Sequence, residues 1–201
     1  SKSHFFSNTL ANLDLSYFEN SELEINIETT SNDNYLKSHK IKSEITNNNS
    51  LLNSFLKLRG NKQELYLEAK IEAYEDLTKE KSSDKYQYLL PSFELSKSFN
   101  NNLNLVSNGY YKNYNTNIFE KVLINDLKYS SVPKINSNGF VNKFNLLLKN
   151  VTTESDNSEE YTNNFRSQNY GSLLYNISYP MKKEGSKFDN FLSGKGSFMY
   201  S

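Results

Sequence analysis

The sequence predicts an all-β chain folded as one antiparallel, up-and-down sheet of about ten strands. Three observations carry this. Apolar and polar residues alternate with a period of two from end to end. The alternating segments are longer than the roughly 5 to 6 residues usual in globular sheets. The connections between them run short, then long, in turn.

The strands fall near 10–18, 22–30, 51–59, 64–75, 86–98, 103–112, 118–130, 139–150, 169–180 and 188–200. In 22–30, Leu23, Ile25 and Ile27 alternate with Glu22, Glu24, Asn26 and Glu28. In 64–75, Leu65, Leu67, Ala69, Ile71 and Ala73 oppose Glu64, Tyr66, Glu68, Lys70 and Glu72. The stretch 139–150 sets Phe140, Phe144, Leu146 and Leu148 against Lys143, Asn145 and Lys149. Leu173, Tyr175, Ile177 and Tyr179 oppose Ser172, Leu174, Asn176 and Ser178 in 169–180. A helix would need apolar residues at i, i+3, i+4 and i+7, where these segments carry charge. Segment 118–130 is less regular, with apolar residues on both faces. Pro91 lies inside 86–98 and Pro180 ends 169–180; each predicts a bulge or a break in pairing, and for Pro180 a misplaced strand end is the better reading.

The connections run short at 19–21, long at 31–50, short at 60–62, long at 77–85, short at 100–102, modest at 113–117, a turn near 132–139, a long acidic loop at 152–165 and a short turn at 182–187. Strands of roughly 9 to 11 residues cross a bilayer at a tilt, and outer-membrane barrels join them by short periplasmic turns and long outward loops. In such a barrel the apolar face meets lipid and the polar face a wet lumen, so every strand is two-faced without a dry core. A soluble sheet with one solvated face alternates in the same way and remains the alternative.

Composition agrees. Of 201 residues only 36% are hydrophobic, yet 15 Tyr and 13 Phe are present, and mean hydropathy is −0.75. So many rings exclude a disordered chain and suit the aromatic girdles of membrane interfaces. Twenty-three basic and 23 acidic residues balance, which leaves no basic field for nucleic acid. Cysteine is absent, which removes disulfides and thiolate chemistry. No apolar run approaches the roughly 20 residues of a membrane helix. The opening "SKSHFFSNTL" has neither a basic n-region nor an apolar h-region, and an internal piece of a larger protein is expected.

The segments "YLLPSFELSKSF", "NIFEKVLINDLKYSS", "GFVNKFNLLLKNV" and "YNISYPMKK" together resemble the C-terminal barrel domain of the lipopolysaccharide-assembly outer-membrane family LptD, the organic solvent tolerance proteins. The resemblance rests on Pro91, on Asn125 with Asp126, on Tyr129 with Ser130, on Lys149 with Asn150, and on Ser178 with Pro180 and Met181, in that order over 86–183. Residues 1–85 match only in strand character. The resemblance implies a barrel of some twenty-six strands, of which residues 1–201 would be an incomplete single-domain segment. It also implies location in the outer membrane of a Gram-negative cell and insertion of lipopolysaccharide into the outer leaflet. Implied partners are lipopolysaccharide, membrane lipid, an LptE-like lipoprotein plug and an LptA-like periplasmic bridge protein. No gate strand, jellyroll or family cysteine is identified. A generic porin or receptor barrel and a soluble β-sheet binding protein are the other functions considered.

No catalytic, cofactor-binding or metal-binding residue is expected, and no enzyme. His4 and His39 lack partners at ligand spacing and read as surface residues. Glu154, Asp156, Glu159 and Glu160 read as a solvated acidic loop rather than a cation site. Glu64, Glu68 and Glu72 read as a wet strand face rather than a glycosidase pair. Lys70, Lys143 and Lys149 could attract lipopolysaccharide phosphates or be plain lumen residues.

Overall fold

A computed structural model describes residues 3–114, 118–185 and 189–201, without the side chains of Ser82, Ser83 and Tyr114. It is one antiparallel sheet: β1 (His4–Leu13), β2 (Asn20–Thr30), β3 (Leu51–Lys62), β4 (Leu65–Asp76), β5 (Tyr86–Asn100), β6 (Leu103–Tyr114), β7 (Ile118–Ser130), β8 (Lys134–Ile135), β9 (Val141–Asp156), β10 (Arg166–Lys183) and β11 (Asn190–Tyr200). The strands neighbour one another in chain order, except that the two-residue β8 folds back on β9 and leaves β7 paired with β9. The sheet does not close. β1 pairs only with β2 and β11 only with β10, so two edges are free.

The connections 31–50, 77–85 and 157–165 lie at one end of the sheet, and the ten-residue connection 131–140, which carries β8, lies at the other. The loop 31–50 carries α1 (Tyr35–His39) and 77–85 carries α2 (Ser82–Lys85). At the opposite end 63–64 and 101–102 are tight turns. These are called the loop end and the turn end. A small apolar cluster of Leu36, Leu52 and Leu77, with Tyr35 and Ile41 against it, sits at the loop end. The described residues include only five buried apolar side chains, those three with Phe55 and Val122, so no central core spans the sheet.

Several boundaries differ from the sequence expectation. The first strand is His4–Leu13, not 10–18. Residues after Leu13 turn back instead: the Phe18 N–H bonds the Leu15 carbonyl at 2.9 Å. The Phe18 ring lies against Gly60, where a Cβ would come within 2.6 Å of it. β9 runs on to Asp156, because Thr152 and Glu154 find Leu123 and Lys121 opposite them; the acidic loop is therefore shorter than 152–165. β10 spans Arg166–Lys183. Residues 115–117 of the modest loop, 186–187 of the last turn and the first residue of 188–200 lie outside the described residues.

The prolines divide. At Pro91 the register of β5 slips against both neighbours, between Lys70 and Glu72 on β4 and between Leu89 and Ser92 on the β6 side. This is the expected bulge, and it returns Tyr86 and Tyr88 to the face of Phe93 and Leu95. At Pro180 β10 continues in register, with Pro180 opposite Ser193. The β9 partnership has already ended at Ser178, so a residue without an N–H breaks no pairing on that side.

Candidate functional site: a two-faced wall

The pairing registers assign the paired strand residues to one of two faces, and away from the edge strands β1 and β11 burial on them is inverted relative to a soluble sheet. On the polar face Asn26, Glu28, Asn53, Glu72 and Glu120 are 1%, 3%, 4%, 7% and 5% exposed. On the apolar face Ile27, Leu56, Ile71, Phe144, Leu148 and Leu173 are 41–49% exposed. Water penalises this arrangement. Membrane β-barrels likewise carry apolar side chains on the outward face and polar ones inside.

The apolar face is banded. Its middle is aliphatic: Leu23 and Ile25 pair beside Leu58 and Leu56, Leu56 meets Ile71, and Leu127 meets Leu148. At the turn end stand Tyr17 and Phe18 edge to face, and Phe140 against Tyr179 with ring centroids 4.9 Å apart. At the loop end stand stacked Tyr86 and Tyr88, and Tyr111 beside Phe119. Charge on this face is confined to the same two ends. Lys62 lies over Tyr17 at 4.2 Å, and Lys121 lies beside the Tyr111 and Phe119 rings. On β7 the ring-to-ring stretch from Phe119 to Tyr129 covers roughly 33 Å at about 3.3 Å per residue. At a tilt near 40° that projects to about 25 Å, the height of a barrel's apolar band.

One polar row crosses the band. Ser107 Oγ donates to Asn125 Oδ1 at 2.7 Å, and Asn125 Nδ2 reaches Asn150 Oδ1 at 3.4 Å. Asn150 Nδ2 donates to Asn169 Oδ1 at 2.8 Å and to Ser167 Oγ at 3.1 Å. These groups satisfy one another across β6, β7, β9 and β10, the condition for polar groups at an apolar depth.

The polar face is an ion-pair lattice over β2–β4. Lys57 pairs with Glu24. Arg59 reaches Glu22 at 3.5 Å and Glu68 at 3.0 Å, and Tyr66 donates to Glu68 at 2.8 Å. Glu72 accepts from Lys70 at 2.6 Å and Tyr74 at 3.0 Å. Glu68 and Glu72 are thus bound by cations and hydroxyls, while Glu64 lies in the turn between β3 and β4. Loops fold over the loop end of this face. Ser43 donates to Glu28 at 2.7 Å and Ser158 to Glu120 at 2.7 Å. The second cover explains why β7 looked two-faced, since Val122, 5% exposed, sits beside Glu120 under that loop.

The remaining predicted residues scatter. His4 is not a surface residue: its Nε2 lies 3.1 Å from the fully buried Glu28 carboxylate, and its own side chain is 13% exposed. The reason is β1's register, which sets it beside β2's acidic row. His39 is exposed and touches Tyr35. Glu154 pairs with Lys121 at 2.9 Å, so it belongs to a strand rather than a solvated loop. Among the described residues no three His, Cys, Asp or Glu converge as metal ligands. Lys149 meets Asp126 at 3.2 Å, and Lys70 also lies 4.6 Å from the Phe55 ring. The sequence reading did not single out Lys85, which ties two loops together by bonding Asp33 at 2.7 Å and Glu75 at 2.9 Å.

Burial opposes the Lys85 charge, but the bonds to Asp33 and Glu75 outweigh it and raise its pKa above the ordinary lysine value. A raised lysine stabilises fully below the unfolded value of about 10.4 and loses that contribution as pH climbs through the folded one. Protection from hydrogen exchange at residues 33–37, taken relative to the intrinsic rate at each pH, should therefore stay level between about pH 6 and 9 and fall above pH 10–11. Lys85→Met should show the low protection already at pH 7.

No described helix is long and apolar enough to cross a membrane. No protein-family model matches the chain, and no curated protein matches it.

Proposed function

We propose that the chain is part of the wall of an outer-membrane β-barrel that moves lipopolysaccharide to the outer leaflet, working with an LptE-like lumen lipoprotein and an LptA-like periplasmic bridge. The observation that carries the membrane part is the inverted burial, with bare aliphatic residues between two aromatic rows and covered carboxylates on the other face. Free edges on β1 and β11 support a larger barrel, because an open edge has no place in lipid. The lipopolysaccharide part rests on the ordered resemblance over 86–183. Pro91 forms the bulge and Asn125 joins the polar row, so two of its residues have structural work.

The test is photo-crosslinking in cells. A photoreactive residue replacing Asn176, on the polar face, is expected to capture lipopolysaccharide. One replacing Tyr129, on the apolar face at the turn end, is expected to capture none. Solute conductance with no adduct at Asn176 would point to a porin and overturn the transport role.

A further inference from the structure

β2 and β3 separate toward the loop end. Their ladder stops at Asn26 opposite Phe55, although β2 runs on to Thr30 and β3 begins at Leu51. Each strand stays laddered to its other neighbour there, β2 to β1 and β3 to β4. The opening is thus local to 27–30 and 51–54, and side chains bridge it. Asn26 Nδ2 donates to the Asn53 carbonyl at 2.6 Å. Ser54 Oγ accepts from the Glu28 N–H at 3.0 Å and donates to the Glu28 carbonyl at 3.1 Å.

The opening is rich in acceptors and short of donors. Its two amides are oriented by the bonds they donate, Asn26 Nδ2 to Asn53 and Asn53 Nδ2 to Glu72 Oε2 at 3.4 Å. Both Oδ1 atoms are left without a donor, although the two residues are only 1% and 4% exposed. Glu28 lies two residues along β2 on the face of Asn26, and the register carried on from Asn26 and Phe55 sets it opposite Asn53. Its carboxylate is fully buried, with the Ser43 hydroxyl at 2.7 Å and the His4 ring at 3.1 Å as partners, neither of them a fixed cation. The nearest fixed cations are already engaged, Lys57 with Glu24 and Lys70 with Glu72. A buried acceptor without a donor and a buried carboxylate without a counter-charge are both costly.

We infer that this opening is a cation site for sodium, with Asn26 Oδ1, Asn53 Oδ1 and the Glu28 carboxylate as its protein ligands. Hard cations take oxygen ligands, and carboxylate with amide carbonyl oxygens is such a set. One carboxylate beside two neutral oxygens balances a single positive charge, whereas calcium loops gather several acids. Glu72, the next acid on this face, is not available as a second, because Lys70 and Tyr74 already hold it. The ion fastens β2 to β3 where their ladder is open, and it supplies the charge that Glu28 lacks under the 31–50 loop. The inference goes beyond the transport reading and does not depend on it, since the opening and its oxygens are the same in any wall built on this sheet.

The test is hydrogen exchange, read by mass spectrometry, on the full-length protein in a neutral detergent, with sodium chloride compared against tetramethylammonium chloride at equal ionic strength. A bound ion raises protection by the factor 1 + [Na+]/Kd, so protection at 27–30 and 51–54 is expected to rise at least threefold by about 150 mM sodium, and that at 141–151 on β9 to stay level. Glu28→Gln, which keeps an oxygen but removes the charge, should abolish the rise. Glu24→Gln, whose acid is paired with Lys57, should keep it. Circular dichroism checks that each variant folds, and Asn26→Ala, expected to lose the rise as well, serves if Glu28→Gln does not. Equal protection in the two salts would mean that water satisfies these oxygens, and overturns the site. A rise that survives Glu28→Gln, or that extends equally to β9, does so too. A response to calcium chloride at matched ionic strength with none to sodium overturns the choice of ion.

Discussion

Leu148→Arg is expected to cost about 2–4 kcal/mol, the penalty for arginine near the midplane of a barrel's lipid face. Leu148 is 45% exposed, and its face carries no charge between Lys121 at the loop end and Tyr129 at the turn end of neighbouring β7. In water, a residue so exposed would accept arginine within about 0.5 kcal/mol. Urea unfolding of the assembled protein in lipid vesicles measures the difference. Lys143→Leu is the companion: it changes the same strand by the opposite chemistry on the opposite face, the proposed lumen side, so its effect should remain near zero.

Gly109→Val is the second large effect. A Cβ at Gly109 would lie 2.6 Å from the Val122 carbonyl oxygen and 3.0 Å from the Phe93 ring. The first contact is backbone and cannot rotate away, so β6 and β7 must separate around the Gly109–Leu123 pair. Overpacking of this kind costs about 1–3 kcal/mol or more. Gly194→Val is the contrast, because nothing lies within 4 Å of a Cβ there. Heat-modified gel mobility should show the Gly109 variant unfolding at a lower temperature and the Gly194 variant unchanged.

Period-two alternation made the strands and their faces legible in the sequence, because a half-covered sheet needs nothing else to specify register. The bulge at Pro91 was legible for the same local reason: a residue without an N–H interrupts a ladder wherever it falls between two partners. Strand ends were less so. Ser16 and Phe18 alternate like a strand, yet the absence of a side chain at Gly60, more than 40 positions later, draws Phe18 into a turn. Likewise β9 outruns its apolar stripe because Lys121 lies opposite Glu154. The loop covers over Glu28 and Glu120 depend on Ser43 and Ser158, whose hydroxyls carry no pattern along the chain.

The inverted sheet is tested most directly by a nitroxide scan of β9. The chain has no cysteine, so single substitutions from Val141 to Thr152 place one label each in an otherwise unlabelled protein. In the native membrane, a barrel wall gives collision with oxygen at Phe144, Leu146, Leu148 and Asn150, alternating with collision with a water-soluble nickel chelate at Lys143, Asn145, Leu147 and Lys149. Access of the nickel chelate to Leu146 and Leu148, or no period-two contrast between the two probes, would contradict a lipid-facing apolar side.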